Sequence, residues 1–158
     1  METANRSALV RLLGTAADVM QPRVVVLRPD QLLVDAAREL ERGGVSGAPV
    51  VDGGRVVGMV NLRNLFEAAG VAFERPSTTG PWHRYEHLLA HVDRTVADVM
   101  NTRIATVGPG TLLAEVARVM RARGVDRVPV VDDAGRLVGI VARDDLVEAV
   151  ARVGAPDA

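Results

Sequence analysis

Hydrophobic positions along the chain change spacing in an order that predicts alternating strands and helices. Short runs of β-branched and apolar residues, bounded by Pro, Gly or Asp, are typical of strands. Between them, apolar residues recur every three or four positions, the spacing of one buried helix face. In the first half these patterns predict a strand at Val24 to Leu27, a helix at Leu32 to Leu40, hairpin strands at Ala48 to Val51 and Val56 to Val60, and a helix from Asn61 to Ala69.

The ends of these elements carry residues that suit them. Pro29 cannot continue a strand ladder, and Asp30 after it is a candidate N-cap for the first helix. Gly43 and Gly44 follow that helix, where a left-handed residue commonly ends one. The sequence DGGR at 52–55 separates the hairpin strands and predicts a tight turn.

The same order of elements occurs twice. TAADVM from Thr15 and TVADVM from Thr95 begin two copies, whose alignment needs one inserted residue in the second hairpin turn. Roughly 24 of about 55 aligned positions are identical, which identifies an internal repeat. The second copy predicts a strand at Ile104 to Val107, a helix at Leu112 to Arg123, a hairpin from Val128 to Val141 and a helix from Asp144 to Val153.

Composition excludes several classes of site. The chain has no cysteine, which rules out disulfides, thiolate metal sites and cysteine nucleophiles. Its net charge of −1 argues against general nucleic-acid binding, although its 19 basic residues, all arginine, are compatible with a local basic patch. No apolar run approaches the roughly 20 residues that cross a bilayer, and the N-terminus lacks a signal-peptide pattern. We therefore expect a cytoplasmic protein that does not enter the membrane.

The chain shows no arrangement of residues typical of catalysis. Ser46 has no histidine near it in the sequence, and the glycines form neither a dinucleotide-binding pattern nor a Walker A motif. Asp144 and Asp145 are adjacent at a helix start, which is poor geometry for paired acid–base work. We expect a protein that is not an enzyme and needs no cofactor.

Residues 71–94 lie outside the repeat. A polar breaker from Pro76 to Pro81 precedes an apolar helical face, which we expect to pack over the module or to make a dimer contact. That face consists of Trp82, Tyr85, Leu88, Leu89 and Val92. His83, His87 and His91 recur every four residues, and a neighbouring pair at this spacing can bind a divalent metal. The three together span about 12 Å along a helix, too far for one ion, so we favour a polar helix flank.

One stretch in each copy of the repeat resembles a known protein family. GVSGAPVVDGGRVVGMVNLRNL from Gly44 and GVDRVPVVDDAGRLVGIVARDDL from Gly124, each preceded by an ADVM segment, resemble a pair of CBS domains, or Bateman module. The resemblance implies an α+β fold of two tandem β-α-β-β-α repeats, packed sheet to sheet with pseudo-two-fold symmetry. It divides the chain into 1–70 (N-terminal segment and repeat 1), a linker at 71–94, and 95–158 (repeat 2). It also implies an adenosine-containing ligand: AMP, ADP, ATP, S-adenosylmethionine or NAD.

In CBS pairs the ligand usually lies in clefts between the copies, and the resemblance implies the residues. One cleft would be formed by Ile140, Ala142, Asp144 and Asp145 facing Val25, Val45, Ser46 and Gly47. The other would be formed by Met59, Asn61, Arg63 and Asn64 facing Ala105, Val125, Asp126 and Arg127. Val25, Val45, Ala105 and Val125 would be apolar walls for adenine, or else ordinary core.

The polar residues fall into candidate ligands for ribose and candidate ligands for phosphate. Asp145 offers carboxylate oxygens to the paired hydroxyls of ribose, whereas Asn64 at the matching position has no charge; the other interpretation of Asp145 is a first-turn acid favoured by the helix dipole. Arg63 and Arg127 suit phosphate, unless they are solvated surface charges. Ala142 and Asn61 stand where CBS domains often have a Ser or Thr for phosphate, which argues against tight polyphosphate binding.

The sequence therefore predicts a sensor rather than an enzyme. An adenosine-containing ligand would bridge the two copies of a homodimeric, stand-alone module and alter its affinity for a protein partner. The alternative is an interaction scaffold that binds no small ligand, which the departures at Ala142 and Asn61 would favour. A third interpretation is a protein that uses the three histidines for a metal, or local arginines for nucleic acid.

Overall fold

The structure, a computed structural model, describes residues 2–70 and 83–154, with side chains for 7–70 and 86–154. These residues form helices and two antiparallel hairpins, which confirms the predicted mixed class. The elements are α1 (Glu2–Leu12), α2 (Ala16–Val19), α3 (Leu33–Gly43), β1 (Gly47–Asp52), β2 (Arg55–Asn61), α4 (Leu62–Ala68), α5 (His83–Leu89), α6 (Val96–Val99), α7 (Leu113–Arg123), β3 (Arg127–Val131), β4 (Leu137–Ala142) and α8 (Arg143–Gly154).

The chain divides into two compact units whose boundaries differ from those of the sequence copies. Unit 1 joins Met1–Val24 to Ala105–Ala158, and unit 2 is Val25–Ile104. Each unit therefore holds the hairpin of one copy together with the ADVM segment of the other copy. We use the name ADVM segments for residues 15–24 and 95–104.

The hairpin of unit 2 forms at the predicted position. β1 pairs antiparallel with β2, and Asp52 lies opposite Arg55 across a two-residue turn. Gly53 and Gly54 have φ angles of 57° and 83°. A type I′ turn needs positive φ at both central positions, which glycine adopts without strain. The GG pair therefore determines this turn locally.

The hairpin of unit 1 uses a longer turn to join β3 and β4. The Asp132 carboxylate accepts hydrogen bonds from the amides of Ala134 and Arg136, at 3.0 and 2.9 Å. Gly135 takes the left-handed conformation there, with a φ of 77°. The inserted residue of the second copy is therefore absorbed by an aspartate-stabilised loop, and the β3–β4 pairing continues beyond it.

The predicted first strand of each copy is wrong in length. In place of Val24 to Leu27, only Leu27 pairs, in a single parallel bridge to Val50. Ile104 to Val107 likewise reduces to one bridge, between Val107 and Val130. In unit 2 the chain turns away at once, because the amide of Arg28 donates to the Gln31 side chain at 2.6 Å.

The same turn makes the predicted cap at Asp30 wrong. The N-cap of α3 is Leu32, without a side-chain cap bond. Asp30 is instead in an ion pair with Arg28 at 3.3 Å. The other end of the helix is as predicted, since Gly44 adopts a φ of 63° and donates its amide back to the last turn. Gly124 ends α7 in the same way, with a φ of 64°.

Each unit has its own cluster of buried hydrophobic side chains, and its ADVM segment contributes to it. In unit 2, Val96 of α6 is fully buried with Leu33, Leu40 and Val60. In unit 1, Ala16 of α2 is fully buried beside Val116 and other residues of the second copy. The ADVM segments are therefore part of the cores that support the candidate site.

The linker helix α5 packs on unit 2 through one end of the predicted apolar face. Leu89 is 2% exposed and belongs to the core cluster, and Val92 packs against it. Leu88, predicted on the same face, is exposed. Trp82 and the side chain of Tyr85 lie outside the described residues. Arg38 of α3 adds an ion pair to Glu86 of α5 at 3.2 Å.

Candidate functional site

Both units contain a junction where the second hairpin strand leads directly into a helix. In unit 1, β4 ends at Ala142 and α8 begins at Arg143; in unit 2, β2 ends at Asn61 and α4 begins at Leu62. We call these two places junction 1 and junction 2. Most of the polar residues predicted to bind a ligand lie at them.

The first hairpin strand of each unit completes its junction. At junction 2, Gly47 pairs with Asn61, and the amide of Leu62 donates to the Ser46 carbonyl at 3.0 Å. At junction 1, Arg127 pairs with Ala142, and the amide of Arg143 donates to the Asp126 carbonyl at 2.8 Å. Residues that were predicted for different clefts are thus neighbours within one unit.

Asp145 is the most constrained polar side chain of junction 1. Its Oδ2 accepts a hydrogen bond from the amide of Ala142 at 2.7 Å, and its Oδ1 accepts one from Nε2 of Gln21 at 3.4 Å. The residue is half-buried. Two carboxylate oxygens offer about four acceptor positions, so about two remain for a ligand. Its contact with the Ala142 amide agrees with the first-turn interpretation and leaves room for ligand binding.

Asn64 at junction 2 is used differently. Its Oδ1 accepts from the amide of Asn61 at 2.9 Å, while its own amide donates to Oδ1 of Asn61 at 3.0 Å. This reciprocal capping box satisfies two amides at the start of α4. The carbonyl oxygen of the neutral Asn64 amide is therefore engaged by Asn61, whereas the Asp145 carboxylate lies beside Ala142, which has no side-chain acceptor.

The two candidate phosphate ligands have different surroundings. Nε of Arg127 lies 3.5 Å from Oδ1 of Asp126, and only 19% of the arginine side chain is exposed, against 63% of the aspartate. Arg63 is exposed at the start of α4. The guanidinium of Arg127 is therefore held at β3 with an anionic neighbour, which lowers its attraction for a second anion.

The family model for the CBS domain matches residues 16–70 and 96–152, more than half of the chain. The chain belongs to the CBS domain family. The two matches coincide with the two sequence copies, so this is a tandem CBS protein, as the sequence motifs predicted.

Solved CBS structures have the same fold. The CBS-pair protein CBSX2 from Arabidopsis thaliana is 27% identical, with a TM-score of 0.73 over 91% of this chain and 99% of that chain. A structure of CBSX2 in complex with AMP has a TM-score of 0.72, also at 27% identity, over 90% and 99% of the two chains. The cytosolic domain of the Mg²⁺ channel MgtE in complex with ATP is 30% identical, with a TM-score of 0.66 over 89% of this chain and 52% of that chain.

Curated relatives include both short and longer proteins. An uncharacterised protein of Methanocaldococcus jannaschii is 29% identical over 150 residues, which cover 84% of this chain and 89% of that relative. The chain spans only 45% and 21% of two longer relatives. The chain therefore corresponds to only part of each of those two proteins.

Three of the six apolar residues predicted near the CBS ligand pack against the cores. Val25 and Val45 are half-buried and pack against the cluster of unit 2, and Val125 packs against that of unit 1. Ala105, Met59 and Ile140 are also half-buried. The core role of Val25, Val45 and Val125 is therefore real, and all six residues leave some surface exposed.

Sequence reasoning missed the aspartates of the two ADVM segments. The Asp18 carboxylate accepts from the amide and the hydroxyl of Thr15, at 2.7 and 3.1 Å. Asp98 accepts from Thr95 in the same way, at 2.8 and 3.1 Å. The Thr backbone amide first, and then the hydroxyl, lower the pKa of each carboxyl below its ordinary value. The T-x-x-D spacing was the available signal, since it places an acceptor at the third position of a helix.

The histidine stripe does not continue as one helix face. α5 ends at Leu89, so His91 lies beyond it, and both His87 and His91 are exposed. The side chain of His83 is outside the described residues. Within the part of the chain that the structure describes, no group of three or more His, Cys, Asp or Glu side chains is placed to hold a metal ion. Across the same residues, no helix has the length and apolar character needed to cross a membrane.

Proposed function

We propose that this CBS pair is a regulatory module that binds an adenosine-containing ligand through its junction residues. The candidates are AMP, ADP, ATP, S-adenosylmethionine and NAD. CBSX2 with AMP and the MgtE cytosolic domain with ATP, both at least 25% identical to this chain, support this ligand class. The observation that carries the proposal is the half-buried Asp145 carboxylate, which is held at a strand-to-helix junction with acceptor positions to spare.

Asp145 is the proposed ribose ligand. A hydrogen bond to a charged acceptor contributes about 1.5–3 kcal/mol, more than one to a neutral amide. The Ala142 amide orients the carboxylate and leaves acceptor positions for a diol. Asn64 has its carbonyl oxygen committed to Asn61 and offers the weaker interaction. The proposal therefore assigns ribose to junction 1 in preference to junction 2, with Asp144 and Ala142 as its neighbours.

Phosphate is proposed to interact with arginine. For a ligand at junction 1 the guanidinium is that of Arg127, which pairs with Ala142, although Asp126 partly compensates its charge. For a ligand at junction 2 it is that of Arg63, which is exposed at the start of α4. Neither Ala142 nor Asn61 supplies a hydroxyl. These features favour a ligand with few phosphates, such as AMP, over ATP.

Adenine is proposed to contact the half-buried apolar residues beside the junctions. These are Val25, Val45, Ala105, Val125, Met59 and Ile140. Each has exposed surface that a purine face can cover, a favourable exchange because apolar area leaves water. Their side chains offer no hydrogen-bonding pattern that distinguishes adenine from guanine.

The proposed biological action is ligand-dependent control of an unidentified protein partner by a homodimer of this chain. A ligand changes the affinity for a partner only if it binds one conformation better than another. Val147 and Val150, one turn apart on α8, are 62% and 58% exposed. This apolar stripe supports a protein contact in the proposed module.

Thermal unfolding with each of the five candidate ligands tests the proposal. A ligand present at 100 times its Kd should add about 2.7 kcal/mol to the free energy of unfolding. We expect AMP to stabilise the protein. In Asp145→Asn the dissociation constant for AMP should rise about tenfold, because the ligand loses a charged acceptor. Asp133→Asn removes the same charge from an exposed turn of unit 1 and should leave the Kd unchanged.

The proposal is overturned if none of the five ligands stabilises the protein at millimolar concentration. It would favour the scaffold interpretation, which Ala142 and Asn61 support because both lack the hydroxyl that phosphate would need. Light scattering of the same samples measures whether the protein is a dimer, with and without ligand.

A further inference from the structure

Gln21 links an ADVM segment to the candidate ribose carboxylate. Its Nε2 donates to Oδ1 of Asp145 at 3.4 Å, across 124 positions of sequence. The distance is long for such a hydrogen bond, so the bond by itself contributes modestly. The contact matters because the backbone of Gln21 is paired with Ile140 and because Asp145 has a second donor, the amide of Ala142.

The backbone fixes Gln21 beside β4. Its amide donates to the Ile140 carbonyl at 2.9 Å, and the amide of Ile140 donates back at 3.1 Å. Ile140 lies two residues before Ala142, whose amide donates to Oδ2 of Asp145. One short strand segment therefore anchors the donors to both oxygens of the same carboxylate. Two donors on opposite oxygens fix the rotation of a carboxylate, which one donor leaves free.

Unit 2 lacks this link. The residue that matches Gln21 is Asn101, one methylene shorter, and its Oδ1 accepts from the amide of Arg103 at 3.0 Å within its own segment. Asn64, which matches Asp145, is paired with Asn61 instead. The backbone pairing is nevertheless the same, since Asn101 and Met59 exchange two hydrogen bonds. The Gln21–Asp145 contact is therefore a feature of one copy and not of the repeat.

We infer that Gln21 is a positioning residue that holds the Asp145 carboxylate for a ribose diol and ties its orientation to the docking of residues 15–21. The inference rests on the proposed function, because it assigns ribose to Asp145. A ligand that requires the oriented carboxylate binds more tightly when the segment is docked, and by linkage its binding favours the docked segment.

Discrimination between AMP and 2′-deoxyAMP tests this role. Removing the 2′-hydroxyl removes one donor to Asp145, so the wild-type protein should bind AMP more tightly. In Gln21→Ala we expect the ratio of the two dissociation constants to fall about threefold, as the loss of a weak hydrogen bond implies. Gln21→Glu, which places a second carboxylate against Asp145, should lower it further. A merely structural role would weaken both nucleotides equally and leave the ratio unchanged.

Asn101→Ala is the matched control, because it truncates the equivalent side chain of unit 2. It should leave the ratio at its wild-type value. An unchanged ratio in Gln21→Ala, or an equal fall in Asn101→Ala, overturns the inference.

Hydrogen exchange without ligand separates this inference from the proposed function. In Gln21→Ala the backbone amide hydrogens of residue 21 and of Ile140 should exchange about threefold faster. Those of Asn101 and Met59 should exchange at the wild-type rate. If the wild-type protein binds neither nucleotide, the proposed function fails, and this measurement still decides whether the side chain holds the segment. Unchanged exchange at both amides contradicts the link.

Discussion

Met59 and Asn101 exchange two backbone hydrogen bonds, of 3.0 and 2.9 Å, although they belong to different copies of the sequence repeat. Gln21 and Ile140 form the matching pair in unit 1. In each unit the second hairpin strand thus gains a partner from an ADVM segment. Such pairing satisfies backbone groups that an uncovered strand edge would expose.

A side chain at Gly58 should destabilise the protein, because an ADVM segment lies against this residue. A Cβ at Gly58 would stand 2.7 Å from Sδ of Met100 and 3.2 Å from the carbonyl oxygen of Asn101. Overpacking of this kind typically costs about 1–3 kcal/mol, so Gly58→Ala should lower the free energy of unfolding by that amount. Urea denaturation measures it. Gly110→Ala, where a Cβ meets nothing within 4 Å, is the control and should be close to neutral.

Acid should loosen the ADVM segments. Hydrogen bonds from Thr15 and Thr95 lower the pKa of the Asp18 and Asp98 carboxyls in the folded protein. A lowered folded pKa means stabilisation that is present above the unfolded value, near pH 4, and is lost as the pH falls through the folded pKa. Asp98→Asn should therefore be less stable than wild type at pH 7, with the difference shrinking below about pH 4.

Melting temperatures recorded from pH 7 to pH 3 check this expectation. Asp93→Asn, an exposed acid outside the capping box, is the charge-matched control. A difference between wild type and Asp98→Asn that stays constant over this range would contradict the assignment.

The linker helix should depend on Leu89 far more than on its ion pair. Leu89 is 2% exposed in the core cluster of unit 2, so Leu89→Ala should cost about 2–5 kcal/mol. Arg38 and Glu86 form a pair on the surface, and Arg38→Ala should cost less than about 1 kcal/mol. Denaturant unfolding of the two variants compares them directly. Equal losses in the two variants would contradict this expectation.

Adding the missing cap at junction 1 should stabilise the protein. Asn61 accepts the amide of Asn64 at junction 2, but Ala142 has no side-chain oxygen for the amide of Asp145. Ala142→Asn should complete a capping box with Asp145 and add about 1 kcal/mol, which corresponds to a melting temperature about 2–4 °C higher. Asn61→Ala should lower it by a similar amount. Differential scanning calorimetry of both variants is the measurement, and a destabilised Ala142→Asn would mean that the amide is already satisfied.

The candidate site could be predicted only in part. The motifs placed Asp145 and Asn64 at helix starts, and the structure has them there. The sequence did not indicate that one is held by Gln21 and the other by a reciprocal cap. Those contacts depend on which backbone segment lies beside each strand, and Gln21 is 124 positions from Asp145.

The prediction of Asp30 as a cap was wrong for a local reason that residue preferences do not show. Asp30 is a good capping residue, but the buried Gln31 takes the amide of Arg28 and moves the helix start to Leu32. Leu88 and Leu89 were assigned to one face by spacing alone, and the packing of α5 selects Leu89. Periodicity identifies a face to within one residue, and the neighbour decides which side chain is covered.

By itself the sequence determined the duplication, the hairpins and the main helices, and through them the CBS family. Glycine at positive φ and apolar residues at helical spacing act within a few residues, so they can be recognised without a fold. Only the tertiary structure decided which ADVM segment lies against which hairpin. The two segments share six of ten residues, and both form the same short helix with the same Thr–Asp cap, so local preferences do not distinguish the partners. The pairing emerges only when the folded chain brings Gln21 to Ile140 and Asn101 to Met59.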